Sequence, residues 1–416
     1  MSISKLHIRN FKGIREAIDL ELKPLNIFLG PNSSGKSSCI HALAALSQTL
    51  KLPNNTNPLL LDDEFAYVHL GRFIEIIHSK NYTDSISIGI SIDSVPVFTG
   101  IHQKKRTYSF DPGSVQYSFK STKRTQEIRL EDAEYAIGDN KLTAKRSFKG
   151  DHHRIIDHST GYSISSTLGS GFLLNDRNFG SDPSAPSNFE KLRYLQYAVT
   201  SELRKVSYLG PFRQPPSRRY ATRGSSPKEV GASGEATMTL LANEAVQSQS
   251  RKHIAQIQKW LKHLGLGTKI EVSRIASSDL FDVSVSLSDG VSFPLSDLGF
   301  GVSQVLPVLT QCSFAEPGAV LLFEQPEIHL HSLSARKLIS VFLDTINEKQ
   351  TKIVAETHSP ELILQIQTEL RNKALKKEDV AIYRVSRIDG ASKIKKIEIE
   401  DDAEIYENWV NGISIE

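Results

Sequence analysis

The segment Gly30-Pro31-Asn32-Ser33-Ser34-Gly35-Lys36-Ser37 constrains this chain more than any other. It fills every position of GxxxxGK[ST]. A short apolar run, LNIFL at residues 25–29, precedes it, and Ser38 leads into the helically spaced CIHALAALSQTL. A buried strand that turns through glycines straight into a helix builds a phosphate cradle. The glycines let the backbone curl so that its amides point inward, and the helix offers its positive end to the same oxygens. In such a cradle Lys36 reaches the β- and γ-phosphates and Ser37 ligates Mg²⁺. Nucleoside triphosphate with magnesium is therefore the expected ligand, held by residues 30–38. Buried core strands alternating with helices along the chain lead to an expected α/β core.

Three further segments fit that core. Val320-Leu321-Leu322-Phe323-Glu324 is an apolar strand ending in a carboxylate, and Gln325-Pro326-Glu327 follows. A carboxylate at a strand's C-terminal edge beside a phosphate loop can hold Mg²⁺ or its waters, which makes Glu324 a metal candidate with Ser37. Glu356-Thr357-His358-Ser359 closes another short strand; His358 is either a γ-phosphate sensor or a satisfied structural histidine. Residues 295–307 (LSDLGFGVSQVLP) place small residues before a helix, which reads equally as an anion site or an ordinary helix start.

Around these motifs the period changes along the chain. Alternation predicts strands at residues 3–11 and 15–22, and residues 70–170 are mostly period-two, as in an antiparallel strand-rich insertion. Helices are expected at 190–204, 236–264 (ending at Gly265), 301–312, 332–347 and 360–376. Strands are expected at 205–209, 268–274, 281–287, 319–323 and 351–356, with a closing hairpin turning through Asp389-Gly390. Residues 180–188 read as a linker. The domain reading is a core part at 1–65, an insertion at 66–190 and a second core part at 191–416.

Composition removes several classes. No run reaches the roughly 18 apolar residues of a membrane span, and the N-terminus lacks an apolar signal core, so a cytoplasmic protein is expected. Cys39 and Cys312 sit in apolar runs without CxxC spacing and read as buried thiols. Formal net charge is +3, which neither demands nor excludes nucleic acid. Basic segments at 104–106, 123–124, 141–149 and 213–223 are either phosphate contacts or solvated faces. His152-His153 reads as surface or structural, not metal-binding.

Together the four motifs, in this order, resemble the ABC-type ATPases of the OLD-like and SMC-like group. LGPFRQPPSRRY (209–220), EVGASGE (229–235), FGVSQVLP (300–307), EQPEIHLH (324–331) and ETHSPEL (356–362) look like bacterial AAA-family ATPases with a DUF3696-type C-terminal segment. The ending VAIYRVSR…IKKIEIEDD resembles that segment. The resemblance implies an ABC-type head, with a mixed, largely parallel core sheet and an antiparallel β-rich insertion. It implies a homodimer in which two heads pack head-to-tail and sandwich two ATP molecules. One subunit's phosphate loop would meet the other's residues 296–304, with Ser296, Gly299 and Ser303 the candidates acting in trans. His358 matches the switch histidine, and Arg9 and Phe11 fall near the adenosine.

One departure bears on chemistry. The family pattern is an aspartate followed by a glutamate that serves as general base; Glu324 and Gln325 stand there instead. An amide takes no proton, so Gln325 would at most orient water, leaving Glu327 as the alternative base. The catalytic candidates are thus Lys36, Glu324, Gln325, Glu327 and His358. Ser332 stands where the family usually has proline. Only about 58 residues follow His358, too few for the Toprim domain of OLD-like nucleases, and Asp401-Asp402 reads as a solvated turn. The resulting expectation is an ATP-dependent dimerisation switch, sensor or regulator in a bacterial multi-protein system such as anti-phage defence. Its effector would be on another chain. The alternative is a stand-alone DNA-processing or repair ATPase of the SMC-like kind, which would bind nucleic acid itself.

Overall fold

The computed structural model describes residues 1–400 except 53–56, 103–104, 148–151, 180–186, 222–226, 248–249, 276–278 and 288. Lys104, Lys149, Arg223, Asp401 and Asp402, and most of the expected linker, lie outside the described residues. In chain order the elements begin with β1 (Ile3–Arg9), β2 (Ile18–Glu21), β3 (Leu25–Leu29), α1 (Lys36–Lys51) and the single turn α2 (Phe73–Ile76). Next come β4 (Ile86–His102), β5 (Lys105–Ser121), β6 (Ile128–Ile137), β7 (Asn140–Arg146), β8 (His152–Asp157), β9 (Ser163–Thr167), α3 (Ser187–Arg204) and β10 (Val206–Leu209). The remainder is β11 (Tyr220–Ala221), α4 (Thr237–Gln247), α5 (Lys252–Leu264), β12 (Lys269–Arg274), β13 (Leu280–Ser286), β14 (Ser292–Pro294), α6 (Phe300–Phe314), β15 (Val320–Glu324), α7 (Ser332–Lys349), β16 (Lys352–Thr357), α8 (Pro360–Arg371), β17 (Val380–Ile388) and β18 (Ala391–Ile397).

Two compact units form from interleaved stretches. The first holds Met1–Leu22, Ser33–Val206 and Ser386–Lys393. Its sheet runs β2-β1-β4-β5-β6-β7-β8-β9, with every neighbour antiparallel. Period-two patterning explains it. Ile86, Ile88, Ile90 and Ile92 all point into the core, while α3 covers the sheet at β4 and α1 packs on α3. α1 is Ala- and Leu-rich and buried along most of its length, as a core helix must be.

The second unit holds Lys23–Asn32, Ser207–Val385 and Ile394–Glu416. Its six-stranded sheet runs β10-β15-β16-β3-β17-β18. The pairs β15/β16, β16/β3 and β3/β17 are parallel. β3 and β15 are buried at every residue, so both faces are covered and neither strand alternates. Asn26, fully buried inside β3, is satisfied by the Lys23 main chain and the Ile353 carbonyl. A small antiparallel sheet of β11, β13 and β12, with β14 on β13, completes the unit. The α/β class with parallel core strands and a separate antiparallel sheet is thus the one expected.

Two helix predictions need correction. The stretch 236–264 is two helices, α4 and α5. Arg251 takes a left-handed conformation (φ 43°), and the Glu244 carboxylate accepts the His253 and Ile254 amides, both at 2.8 Å. A side chain of α4 thereby caps the start of α5, which hydrophobic spacing alone does not reveal. The helix expected at 360–376 stops at Arg371, because Lys373 turns left-handed (φ 60°). The closing hairpin is as read, with Asp389 and Gly390 both at positive φ, as a two-residue turn of the I′ kind requires. Cys39 and Cys312 are both buried. Among the described residues no helix is long and apolar enough to cross a membrane.

Candidate functional site

In the second unit, parallel register gathers three strand ends on one sheet edge. Glu324 is level with Glu356, Glu356 with Phe28, and Thr357 with Leu29. Gly30 leaves β3 immediately beyond Leu29, so Gly30, Pro31 and Asn32 start from the edge that carries Glu324 and His358. β15 and β3 are two strands apart, about 10 Å by ordinary sheet spacing.

Glu324 is 6% exposed and its carboxylate accepts the Tyr208 hydroxyl at 2.7 Å. Burial and the adjacent carboxylate push the Tyr208 phenol well above its usual range. Tyr208 therefore stays protonated and always donates, which orients Glu324. The next residue, Gln325, is half-buried and left-handed (φ 46°). That conformation costs a non-glycine residue on the order of 1–3 kcal/mol and persists only where its surroundings over-determine it. Here the Gln325 amide donates to the Glu356 carbonyl (2.9 Å). Its carbonyl accepts Arg213 Nη2 (2.9 Å).

Arg213 is the hub of this edge. Its guanidinium donates to the main-chain carbonyls of Gln304 (3.1 Å), Glu324 (3.2 Å) and Gln325. Burial pulls its pKa down to about 10, with Glu327 opposing that shift. Arg213, in the basic segment 213–223 expected as phosphate contacts or a solvated face, is neither. A guanidinium this enclosed, and committed to three carbonyls, ties α6 to the end of β15. Arg218 and Asp297 form an exposed ion pair at 3.1 Å.

Glu327 is buried and accepts the Thr357 hydroxyl. Thr357 in turn accepts the Ser359 amide at 2.8 Å, and Ser359 caps α8. The two candidates thus differ in setting: Gln325, which could only orient water, sits on a strained turn, and Glu327, the candidate base, is engaged in a hydrogen-bond chain leading past His358. His358 itself is half-buried on the bend between β16 and α8. Among the residues expected to act in trans, Gly299 is the exposed N-cap of α6. Ser296 bonds the Asp297 carboxylate (3.0 Å), while Ser303 is buried and donates to the Phe300 carbonyl (3.1 Å).

In the first unit, Ser33 (φ 61°) and Gly35 (φ 100°) bend the loop into α1. Gly35 is its N-cap, with no side-chain cap and no acidic residue in the first turn. The start of this sixteen-residue helix has no side-chain cap and carries the positive end of the helix dipole, which favours an anion. Ser34, Lys36 and Ser38 are buried, and Ser37 is half-buried. Phe11, placed near the adenosine by resemblance, is fully buried in backbone bridges to Ile14 and Ile77. It is a core residue with no face left for a ring to stack on. His153 is likewise internal, bonded to the Leu130 carbonyl at 2.9 Å. Sequence reasoning missed Tyr208, Thr357 and the true role of Arg213. Of these, Arg213 lies in LGPFRQPPSRRY (209–220) and Thr357 in ETHSPEL (356–362), while Tyr208 lies just outside every quoted motif.

A family model described as "AAA domain, putative AbiEii toxin, Type IV TA system" matches residues 25–364. Over 376 residues the chain is 24% identical to an OLD nuclease from Thermus scotoductus, covering 86% of this chain and 59% of that protein. It therefore spans about three fifths of that relative's length. Among solved structures it is similar to the SMC head domain from Thermotoga maritima (12% identity, TM-score 0.40, 96% of this chain and 100% of that one). It is also similar to an Smc head domain with an extended coiled coil, bound to the C-terminal domain of ScpA, derived from Pyrococcus furiosus (9%, TM-score 0.45, 99% of each).

Proposed function

The chain belongs to the AAA-domain ATPase family matched across residues 25–364, and from that premise we propose that it is a nucleotide-dependent dimerisation switch that turns ATP over slowly. Residues 30–38 would hold the triphosphate, with Lys36 at its terminal phosphates. Ser37 and Glu324 would hold Mg²⁺, which when bound neutralises charge on the transferring phosphoryl group. The uncapped start of α1 and the buried, hydroxyl-oriented Glu324 fit that pair of ligands. His358 would sense the γ-phosphate. Ser296, Gly299 and the helix start behind them would close over the partner's nucleotide in a head-to-tail dimer. The effector would be a separate polypeptide in a bacterial multi-protein system of the anti-phage kind. The DUF3696-type ending lies beyond the matched residues.

The observation that carries slow turnover is Gln325. It occupies the general-base position and has no proton-accepting group, and its main chain is held by the Glu356 carbonyl and Arg213. Glu327, the other candidate, is held by Thr357. ATP-Mg should convert monomer to dimer in analytical ultracentrifugation, and Lys36→Ala should abolish the shift. Gln325→Glu should raise the steady-state rate about 100-fold or more, the scale of general-base assistance. A brisk wild-type rate that this substitution leaves alone sinks the slow-switch reading. Salt-dependent DNA binding by the protein alone would favour the DNA-processing alternative.

A further inference from the structure

The family model ends at residue 364 and begins at residue 25. Outside it, two pieces of the first unit converge on the phosphate loop. One is the tight turn after β1. The other is the tip of the β17–β18 hairpin, residues 386–393. Ser392 joins them. Its amide donates to the Gly13 carbonyl at 2.7 Å, and its hydroxyl donates to the Ser34 carbonyl at 2.7 Å. It is wedged between two glycines: a Cβ on Gly13 would meet Ser392 Oγ at 2.2 Å, and one on Gly35 would meet it at 2.0 Å. Arg387 reaches the Ser33 carbonyl at 3.5 Å, and Arg15 donates to the Asp389 carbonyl at 3.3 Å, fastening the tip from its other side.

We propose that Ser392 is a positioning residue for the nucleotide: the C-terminal hairpin latches the phosphate loop in its ligand-ready shape. The inference rests on the reading of residues 30–38 as the triphosphate cradle. The physical reason is preorganisation. An anion nest works only while successive amides point inward, and each peptide's amide direction is set with its neighbour's carbonyl. Fixing the Ser34 carbonyl outward, on Ser392, orients the Gly35 amide of the same peptide unit the opposite way. A loop held so before ligand arrives spends less binding energy on ordering. The hairpin is thereby an integral part of the site, although it lies far from the loop in sequence.

Two substitutions approach the latch from opposite sides. Ser392→Ala removes the hydroxyl, and Gly13→Ala pushes the hairpin tip away without altering the phosphate loop itself. Both should raise the calorimetric Kd for ATP-Mg about 10-fold and raise KM with little change in kcat, while the thermal midpoint stays near wild type. Amide exchange at residues 33–38 should quicken in the ligand-free variants. Ser386→Ala, on the same hairpin but bonded only to the Lys393 carbonyl (3.5 Å), should behave as wild type. Wild-type Kd and wild-type exchange in both variants would overturn the latch while the cradle stands. A wild-type protein that ignores ATP-Mg would overturn the cradle, and the latch with it.

Discussion

Tyr117 and Tyr208 are both buried tyrosines, and their hydroxyls do opposite things. Tyr117, on the antiparallel sheet of the first unit, is fully buried, and among the described residues its hydroxyl has no hydrogen-bond partner; Tyr135 beside it is the same. Burial pushes the phenol of each far above its normal range. Their rings pack edge to face at 6.2 Å, and Tyr117 lies 4.3 Å from Phe172. Tyr208, at the edge of the parallel sheet, uses its hydroxyl on Glu324. The antiparallel sheet tolerates an unanswered polar atom because its rings act as filler. At the parallel edge each of the buried charged groups described above makes a hydrogen bond: Glu324 with Tyr208, Glu327 with Thr357, and the Arg213 fork with three carbonyls. One region carries packing, and the other carries placed charge.

The contrast breaks if either region carries the other's load. Phe119 is fully buried in the same aromatic cluster, 6.3 Å from both Tyr117 and Phe172. Phe119→Ala should cost about 3–5 kcal/mol of stability in denaturant unfolding, the usual penalty for a large ring removed from a core. Per folded molecule, ATP affinity should be unchanged. Glu324→Gln should do the reverse. Stability should move little, because the amide fills the same space and still accepts from Tyr208. Steady-state ATP turnover should fall about 100-fold, the scale of losing one group that stabilises transition-state charge. A meander variant that lost turnover as well would mean that the two regions are not separable.

The same division explains what was legible in the sequence. β3 and the loop after it were readable because GxxxxGK[ST] is a local pattern with a local cause: glycine conformations and helix ends a few residues apart. The meander was readable because period two survives in Ile86, Ile88, Ile90 and Ile92. What was not readable is long-range. Arg213 looked like part of a basic surface stretch; that it is buried on carbonyls about 100 residues away depends on where β15 and α6 end. Tyr208 stands at the end of a short strand, and nothing in KVSYL says its hydroxyl meets Glu324. The break between α4 and α5 was hidden for a related reason, since its cause is a Glu244 carboxylate folding back onto amides of the next helix. Phe11, which the resemblance set near the adenosine, has its ring in the core.

Tyr208→Phe sharpens the comparison at the level of one atom. The ring stays and only the donor to Glu324 goes. An orienting bond behind a metal-holding carboxylate is worth about 10- to 100-fold in metal affinity or activity. The expected outcome is a rise of about 10-fold in the Mg²⁺ concentration needed for half-maximal turnover, with the unfolding midpoint nearly unmoved.

Tyr117→Phe is the matching change in the antiparallel sheet and the smallest effect expected. The hydroxyl it deletes is buried without a partner, so the native state already bears its desolvation cost, and removing it relieves that cost. Against this stands a void of one oxygen atom, with a modest loss of packing among Phe172, Phe119 and Tyr135. The two terms oppose each other, so unfolding free energy should change by less than about 1 kcal/mol, in the stabilising direction if relief wins. ATP turnover should be unchanged. A loss of 2 kcal/mol or more on denaturant titration, beyond what an unpartnered donor can account for, would show that the Tyr117 hydroxyl is answered in solution. The contrast with Tyr208 would then rest on position alone.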